Sequence, residues 1–101
     1  MIRHKFHAQP TEADGIKFAS KAEARFYAQL KLRQRAGEVV FFLRQVPIHL
    51  PGEVRYVMDF MVFEVTGEVR MVDVKGVETE SFKAKKRMVE ALYPIQIEVV
   101  K

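Results

Sequence analysis

The stretch Val54–Val65 constrains the fold more than any other part of the sequence. Its apolar side chains occupy both alternating positions of a strand, with Val57, Met61 and Phe63 on one side and Met58, Phe60 and Val62 on the other. Because alternate residues of a strand point to the same face, this pattern predicts a central strand that is covered on both sides. Such a strand requires packing elements on both faces of its sheet.

Two predicted helices can supply those elements. Ser20 and Glu23 form the capping-box pattern at the start of a helix predicted over residues 21–36, and Gly37 suits its C-terminal cap. A second helix is predicted at about residues 82–92. Its inward-facing residues are expected to be Phe82, Val89 and Leu92.

Four further segments have strand-like sequences: Val39–Leu43, Gln45–Leu50, Glu68–Lys75 and Ile95–Val100. The predicted fold is therefore α/β, with a mixed β-sheet of about five strands flanked by two helices in the order αββββαβ. Residues 1–15 predict an irregular basic arm, which leaves residues 16–101 as a single domain. A length of 101 residues agrees with one domain.

The composition excludes several classes of protein. The chain has no cysteine, which excludes disulfide frameworks and Cys-ligated zinc. No apolar run approaches the ~20 residues that span a bilayer, and the N-terminal segment lacks the apolar region of a signal peptide. We therefore expect an intracellular protein with no membrane partner. The net charge of +4 indicates an anionic partner, with nucleic acid as the first candidate.

Two aspartates interrupt the most apolar strands. Asp59 lies in one strand and Asp73 in the next, with Lys75 on the same face as Asp73. A three-residue loop over Val65–Gly67 would place the two aspartates directly opposite each other, and it suits a glycine at its third position. A two-residue loop would make them diverge unless a bulge restored the register. We predict an odd loop or a bulge.

Adjacent carboxylates repel each other unless a proton or a cation relieves the repulsion. Since carboxylate oxygens favour Mg²⁺ or Mn²⁺ over zinc, Asp59 and Asp73 predict a divalent-metal site. Lys75 is expected to orient water or to stabilise charge on a phosphate there. The alternative is a buried ion pair between Asp73 and Lys75 that serves packing alone. Glu23 also has two interpretations, either a helix cap or a third acidic residue of the same cluster.

Together these residues resemble the PD-(D/E)xK nuclease superfamily, and in detail its small phage-encoded nucleases and Holliday junction resolvases. The matching segments are Thr11–Phe18, Ser20–Ala24, Tyr56–Phe60, Val72–Gly76 and Phe82–Lys86. Two positions depart from the family pattern. Met58 stands where members often have proline, and Arg25 stands where archaeal-type resolvases often have an acidic residue.

The resemblance implies a restriction-endonuclease-like core and a nuclease activity. The implied catalytic residues are Glu23, Asp59, Asp73, Lys75 and, by likeness to a glutamine that some members carry near the site, Gln45. The carboxylates of Asp59, Asp73 and Glu23, with the backbone carbonyl of Val74, would hold Mg²⁺, for which Mn²⁺ can substitute. Lys75 would act on the attacking water or on the scissile phosphate.

Eight basic residues are predicted to contact DNA phosphates: Arg3, Lys5, Lys21, Arg25, Lys83, Lys85, Lys86 and Arg87. Clusters of this kind give salt-dependent affinity for nucleic acid, although each run is also compatible with a solvated helix face. No base-reading motif accompanies them, which favours recognition of DNA structure over sequence. A zinc site at His4 and His7 is not favoured, because neither Cys nor acidic partners lie near them.

The predicted function is that of a divalent-metal-dependent DNA endonuclease, most specifically a four-way junction resolvase that acts as a homodimer. The apolar run Val39–Leu43 exceeds what one small core covers and is a candidate dimer interface. A two-fold dimer would present two active sites to a symmetric junction. The alternatives are a phage nuclease that nicks duplex or other branched DNA, and a non-catalytic nucleic-acid-binding module. A phage origin would place the protein in the host cytoplasm.

Overall fold

The computed structural model describes residues 11–101, which form a mixed main sheet, two helices and a separate N-terminal hairpin. The elements are β1 (Thr11–Ala13), β2 (Ile16–Phe18), α1 (Lys21–Arg35), β3 (Val39–Leu50), β4 (Val54–Glu64), β5 (Val69–Val74), α2 (Glu80–Leu92) and β6 (Ile97–Val100). The main sheet has the order β3-β4-β5-β6, with antiparallel pairing except between β5 and β6, which are parallel. The predicted α/β class and mixed sheet are therefore confirmed.

The main sheet has four strands because two predicted strands are one. Val39–Leu43 and Gln45–Leu50 were expected to be separate, but they join into β3. Arg44 pairs with Phe60, and the same register resumes two residues later, so the ladder continues past Gln45. Gln45 itself has a φ of +53°, which is uncommon for a residue other than glycine. A local change of backbone conformation thus occurs without ending the strand.

The N-terminal hairpin differs from the irregular arm that was predicted through residue 15. Strands β1 and β2 pair antiparallel, with Thr11 opposite Phe18. The turn residues Asp14 and Gly15 have φ values of +53° and +74°, which two-residue hairpin turns of type I′ require. The Tyr27 hydroxyl donates a hydrogen bond of 2.9 Å to the Asp14 carboxylate and ties this turn to α1. Residues 1–10 of the predicted arm lie outside the described residues.

Helix α1 begins and ends close to its predicted limits, because both of its caps are encoded in the sequence. The Ser20 hydroxyl accepts the Glu23 backbone N–H at 3.1 Å. At the other end Gly37 adopts a φ of +80°, and the Glu38 N–H donates to the Arg33 carbonyl at 2.9 Å. The left-handed glycine and this hydrogen bond are the features of a Schellman motif, which satisfies carbonyls that the helix leaves free.

The two helices cover opposite faces of the main sheet. Around α1, the buried Leu30 packs in one cluster with Phe60 and Val72. Met61 and Met71, which follow or precede those residues and so point the other way, pack against the cluster that includes α2. Phe60 and Val72 on the α1 face are fully buried, whereas Met61 and Met71 on the α2 face are only partly buried. The prediction of a strand covered on both sides therefore holds around Met61 and not for the start of β4, where Val54 and Val57 are 38% and 41% exposed.

Helix α2 begins earlier than predicted and buries a narrower stripe. The Thr79 hydroxyl accepts the Phe82 N–H at 3.1 Å and starts the helix at Glu80. Phe82 and Val89 are buried as expected, but Leu92 is 53% exposed. At 3.6 residues per turn, Leu92 lies about 80° around the helix from Phe82, so it falls at the margin of the buried stripe.

Candidate functional site

The hairpin between β4 and β5 sets the two aspartates opposite each other. Phe60 pairs with Val72 and Phe63 with Val69, and the Glu64 N–H donates to the Glu68 carbonyl at 2.9 Å. The loop is thus the three-residue Val65–Gly67, as predicted, and its glycine has a φ of +96°. One step beyond the Phe60 and Val72 pair, the same register brings Asp59 opposite Asp73.

The two aspartates replace the regular ladder at this point with hydrogen bonds from their own side chains. The Asp59 N–H donates to Oδ1 of Asp73 at 2.9 Å. The Val74 N–H donates to Oδ2 of Asp59, also at 2.9 Å. The Tyr56 hydroxyl donates to the other oxygen of Asp73, which is only 1% exposed. Asp73 is therefore anchored in the interior, and Asp59 stands half-buried beside it.

Helix α1 brings Glu23 to the same place. The Gln45 amide lies between Glu23 and Asp59, with its Nε2 at 3.3 Å from Oε2 of Glu23 and 3.5 Å from Oδ1 of Asp59. The backbone N–H of Glu23 serves the helix cap while its carboxylate, 5% exposed, faces the cluster. The two interpretations of Glu23 are therefore compatible, because different groups of the residue serve each. The φ of Gln45 places strain of about 1–3 kcal/mol at this contact.

Two residues of the site were not predicted. Arg44 places its NH2 at 3.8 Å from Oε2 of Glu23 and its guanidinium 4.5 Å from the centre of the Phe18 ring. Its Nε is buried without a partner among residues 11–101. Tyr56 is the other. A usable signal for Tyr56 was its position on the apolar face of β4, because a buried tyrosine hydroxyl usually requires a hydrogen-bond partner.

Burial makes this cluster electrostatically unfavourable. It raises the pKa of Glu23, and the nearby Asp59 raises that pKa further, against smaller lowering effects of the Ala19 backbone, Arg44 and Lys75. Burial also raises the pKa of Asp73, although the Asp59 N–H and the charge of Lys75 oppose it. Groups of raised pKa that converge in one place are typical of functional sites.

Lys75 lies near the carboxylates without forming an ion pair. Its Nζ is 5.1 Å from the centre of the Phe82 ring, and in the described part of the chain no carboxylate lies within 4.0 Å of it. A tight Asp73 and Lys75 pair, the packing alternative, is therefore not formed. The lysine remains free to contact a group that enters the site.

The donor atoms match a hard divalent cation in chemistry. Over residues 11–101, no three His, Cys, Asp or Glu side chains are grouped closely enough to form a metal site. Glu23 and Asp59 are joined through Gln45, and both oxygens of Asp73 accept hydrogen bonds from Asp59 and Tyr56. Carboxylate oxygens are the ligands that Mg²⁺ prefers, and a cation would relieve the repulsion that raises the pKa of Glu23.

Residues 3–100 match the model of a family described as "Protein of unknown function (DUF1064)". The chain belongs to this family. No curated protein and no solved structure matches it.

In this DUF1064 chain, the basic residues of the two helices lie on opposite faces of the sheet. Lys21 and Arg25 are exposed on α1. On α2, Lys83 contacts Glu80 at 3.7 Å and Lys86 contacts Glu90 at 3.1 Å. Lys85 and Arg87 complete the predicted set on that helix, while Arg3 and Lys5 lie outside the described residues.

Neither helix described for residues 11–101 is long and apolar enough to cross a membrane.

Strand β3 presents an apolar surface at the edge of the main sheet. Val40, Phe41 and Leu43 are all more than 40% exposed. Phe41 stacks on Phe63 of β4, with ring centres 4.2 Å apart. The predicted interface segment is thus an exposed apolar surface, with Phe42 alone of its aromatic residues facing the α1 core.

Proposed function

We propose that this chain is a divalent-metal-dependent DNA endonuclease with a restriction-endonuclease-like core. The observation that carries the proposal is the convergence of Glu23 from α1, Asp59 from β4 and Asp73 from β5, with Lys75 beside them. Burying so many carboxylates in one place costs several kcal/mol unless a cation compensates for it. A fold of this size has little reason to keep such a cost unless the cluster has a function.

Hydrolysis of a phosphodiester needs a nucleophilic water and stabilisation of the negative charge on phosphorus oxygens. Glu23, Asp59, Asp73 and the Val74 carbonyl would have to approach one another to hold Mg²⁺ or Mn²⁺, which would then supply that charge stabilisation. Lys75 would donate to the attacking water or to the scissile phosphate. Gln45 keeps Glu23 and Asp59 at a fixed separation.

Within this activity we propose the four-way DNA junction as substrate and a homodimer as the active form. The exposed apolar surface around Phe41 and Leu43 supports self-association. Two sites related by a two-fold axis match the symmetry of paired cuts in a junction. The lack of a base-reading motif is consistent with recognition of DNA shape.

The test is cleavage of a labelled four-way junction beside a linear duplex of equal length, in Mg²⁺, in Mn²⁺ and in EDTA. Symmetric paired cuts in the junction alone, lost in EDTA, are expected of a resolvase. Equal cutting of both substrates would instead establish a general nuclease. If neither is cut in either metal while both are bound, the chain is a binding module and the catalytic proposal fails.

Self-association is tested separately by sedimentation of the wild type and of Phe41→Ser. The wild type should be a dimer at micromolar concentration and the variant a monomer. Met88→Ser is the matched control, since it removes an apolar residue of similar exposure from α2 and not from the apolar surface around Phe41. A wild type that sediments as a monomer with and without junction DNA would contradict the dimer.

A further inference from the structure

We propose that a cavity beside the carboxylate cluster, formed by Glu23, Asp59 and Asp73, binds a backbone phosphate of the nucleic-acid strand. The cavity has a volume of about 220 Å³ and lies between β4, the end of β5 and the start of α2. This inference rests on the proposed function, because it names the part of the substrate that lies next to the cleavage site. It adds Arg55, which the sequence did not indicate, to the residues that bind DNA.

The lining of the cavity is cationic. Arg55 from β4, Lys75 after β5 and Lys85 from α2 contribute three positive side chains, while Thr79 and Ser81 contribute hydroxyls. Over residues 11–101, no carboxylate belongs to the lining. Cations that share a small volume repel one another, and an anion relieves that repulsion. Several N–H and O–H donors around one cavity suit a phosphate, whose oxygens are strong acceptors.

The other lysines of α2 show that this arrangement is specific to the cavity. Lys83 and Lys86 contact Glu80 and Glu90, both on the same helix. In the part of the chain described, Arg55 and Lys85 have no carboxylate within 4.0 Å. The unpaired lysine of α2 therefore lines the cavity together with Arg55 and Lys75, and the two paired lysines do not.

The position of the cavity indicates which anion it receives. Tyr56 lines the cavity, and its hydroxyl donates a hydrogen bond to Asp73. Lys75 also lines the cavity, and its charge lowers the pKa of Asp73 and of Glu23. The cavity thus adjoins the carboxylates. A nucleic-acid strand that presents one phosphate to the carboxylate cluster carries further phosphates at regular intervals. A neighbouring phosphate of the same strand is therefore the anion that the cavity would bind.

The experiment measures binding apart from cleavage. Affinity for a four-way junction is determined in EDTA by fluorescence anisotropy over a range of salt concentrations, for the wild type, Arg55→Gln, Arg55→Lys and Lys85→Gln. Arg55→Gln and Lys85→Gln should each weaken binding by about tenfold. Each should also reduce the slope of log K against log salt by about one. Arg55→Lys should restore much of the loss because it keeps the charge. Lys31→Gln, which removes an exposed charge on the other face, is the matched control.

A second measurement locates the phosphate. Single phosphates of the junction are replaced in turn by uncharged methylphosphonates. One position should weaken wild-type binding by about tenfold and leave Arg55→Gln unchanged, since coupled groups lose their interaction only once. If no position shows this coupling, or if Lys31→Gln matches Arg55→Gln, the cavity is not a phosphate site. Cleavage by the wild type in Mg²⁺ would then still support the proposed function. Coupling in a protein that cuts nothing would instead retain the cavity and reject the nuclease.

Discussion

Strand β4 carries a carboxylate in each of two regions, Asp59 in one and Glu64 in the other, and the two regions behave in opposite ways. At the end of β4, Glu64 forms salt bridges with Arg33 at 2.5 Å and with Arg70 at 3.0 Å. Arg70 forms a further salt bridge with Glu98 at 2.5 Å. Hydrogen bonds from Arg33 lower the pKa of Glu64, and those from Arg70 lower the pKa of Glu98. This Glu64 network joins α1, β4, β5 and β6.

Five residues earlier, the carboxylate cluster of Glu23, Asp59 and Asp73 has no such pairing within the part of the chain that the structure describes. Its shortest contact there to a cation is 3.8 Å, from Arg44 to Glu23. Burial raises the pKa of Glu23 and of Asp73. Each region combines three carboxylates with two cations, since Glu38 also binds Arg33 and Lys75 lies near the cluster.

The count of charges therefore does not separate a structural network from a candidate site. The distances between the charges do. In the Glu64 network the guanidinium groups of Arg33 and Arg70 bind the carboxylates directly, so these carboxylates are already neutralised and do not attract a ligand. The cations near the carboxylate cluster stay too far away to neutralise it, and this is the property that an incoming divalent cation or phosphate would use.

The largest expected effect is the loss of cleavage when the carboxylate cluster is altered. Asp59→Asn and Asp73→Asn should each reduce Mg²⁺-dependent junction cleavage by about a thousandfold or more, because each removes a charged oxygen ligand. Junction binding in EDTA should change little. Cleavage rates under single-turnover conditions are the measurement.

Glu64→Gln is the matched control, because it removes the same charge from the same strand. Its cleavage rate should stay within a few-fold of the wild type. Equal loss in Glu64→Gln and Asp73→Asn would mean that both variants act through folding, and the distinction between the two regions would not stand.

The second expected effect concerns stability and reverses the order of the variants. Glu64→Gln should lower the free energy of unfolding by about 1–3 kcal/mol, because it leaves partly buried arginines without their partner. Asp73→Asn should leave that free energy at neutral pH unchanged or higher, since an amide avoids the burial cost that raises the pKa of Asp73. Urea denaturation at pH 7 is the measurement. A larger loss in Asp73→Asn than in Glu64→Gln would contradict it.

The sequence allowed much of the carboxylate cluster to be located. A period of two along β4 and β5 placed Asp59 and Asp73 on one face, and the glycine of Val65–Gly67 decided the register between them. The capping pattern fixed the start of α1. These features are local, and local physical rules determine them.

The Glu64 network and the cavity could not be predicted in the same way. Arg33 and Glu64 are 31 residues apart, and Arg70 and Glu98 are 28 apart. Nothing in the local pattern of an arginine says which distant carboxylate it will meet. The continuous β3 was missed because Arg44 and Gln45 interrupt its apolar pattern. The pairing of residues on both sides of Gln45 with β4 is what continues the strand.

A third expected effect is a metal-dependent gain in stability that only the carboxylate cluster provides. At Mg²⁺ concentrations about ten times Kd, a cation bound to the folded state adds about 1.4 kcal/mol. For a domain of this size that gain raises Tm by several degrees. Wild type and Glu64→Gln should both show the shift, and Asp73→Asn should not. Thermal unfolding followed by circular dichroism checks this, and a shift of the same size in all three proteins would assign the cation to some other place.

The smallest expected effect is a difference in pH dependence between the two regions. The folded state binds the Asp73 proton more tightly than the unfolded chain, so this group's contribution to stability is present below its ordinary pKa of 3.8 and is lost as pH rises above it. For Glu64 the pKa is lowered, so its contribution is present above the ordinary 4.5 and is lost as pH falls below that value. The free energy of unfolding of Asp73→Asn, relative to wild type, should therefore increase from about pH 4 toward neutrality. The free energy of unfolding of Glu64→Gln should have its largest deficit relative to wild type near neutrality. Below about pH 4 that deficit should shrink. Urea midpoints measured across this range give both curves, and parallel curves for the two variants would mean that Asp73 and Glu64 have the same electrostatic environment.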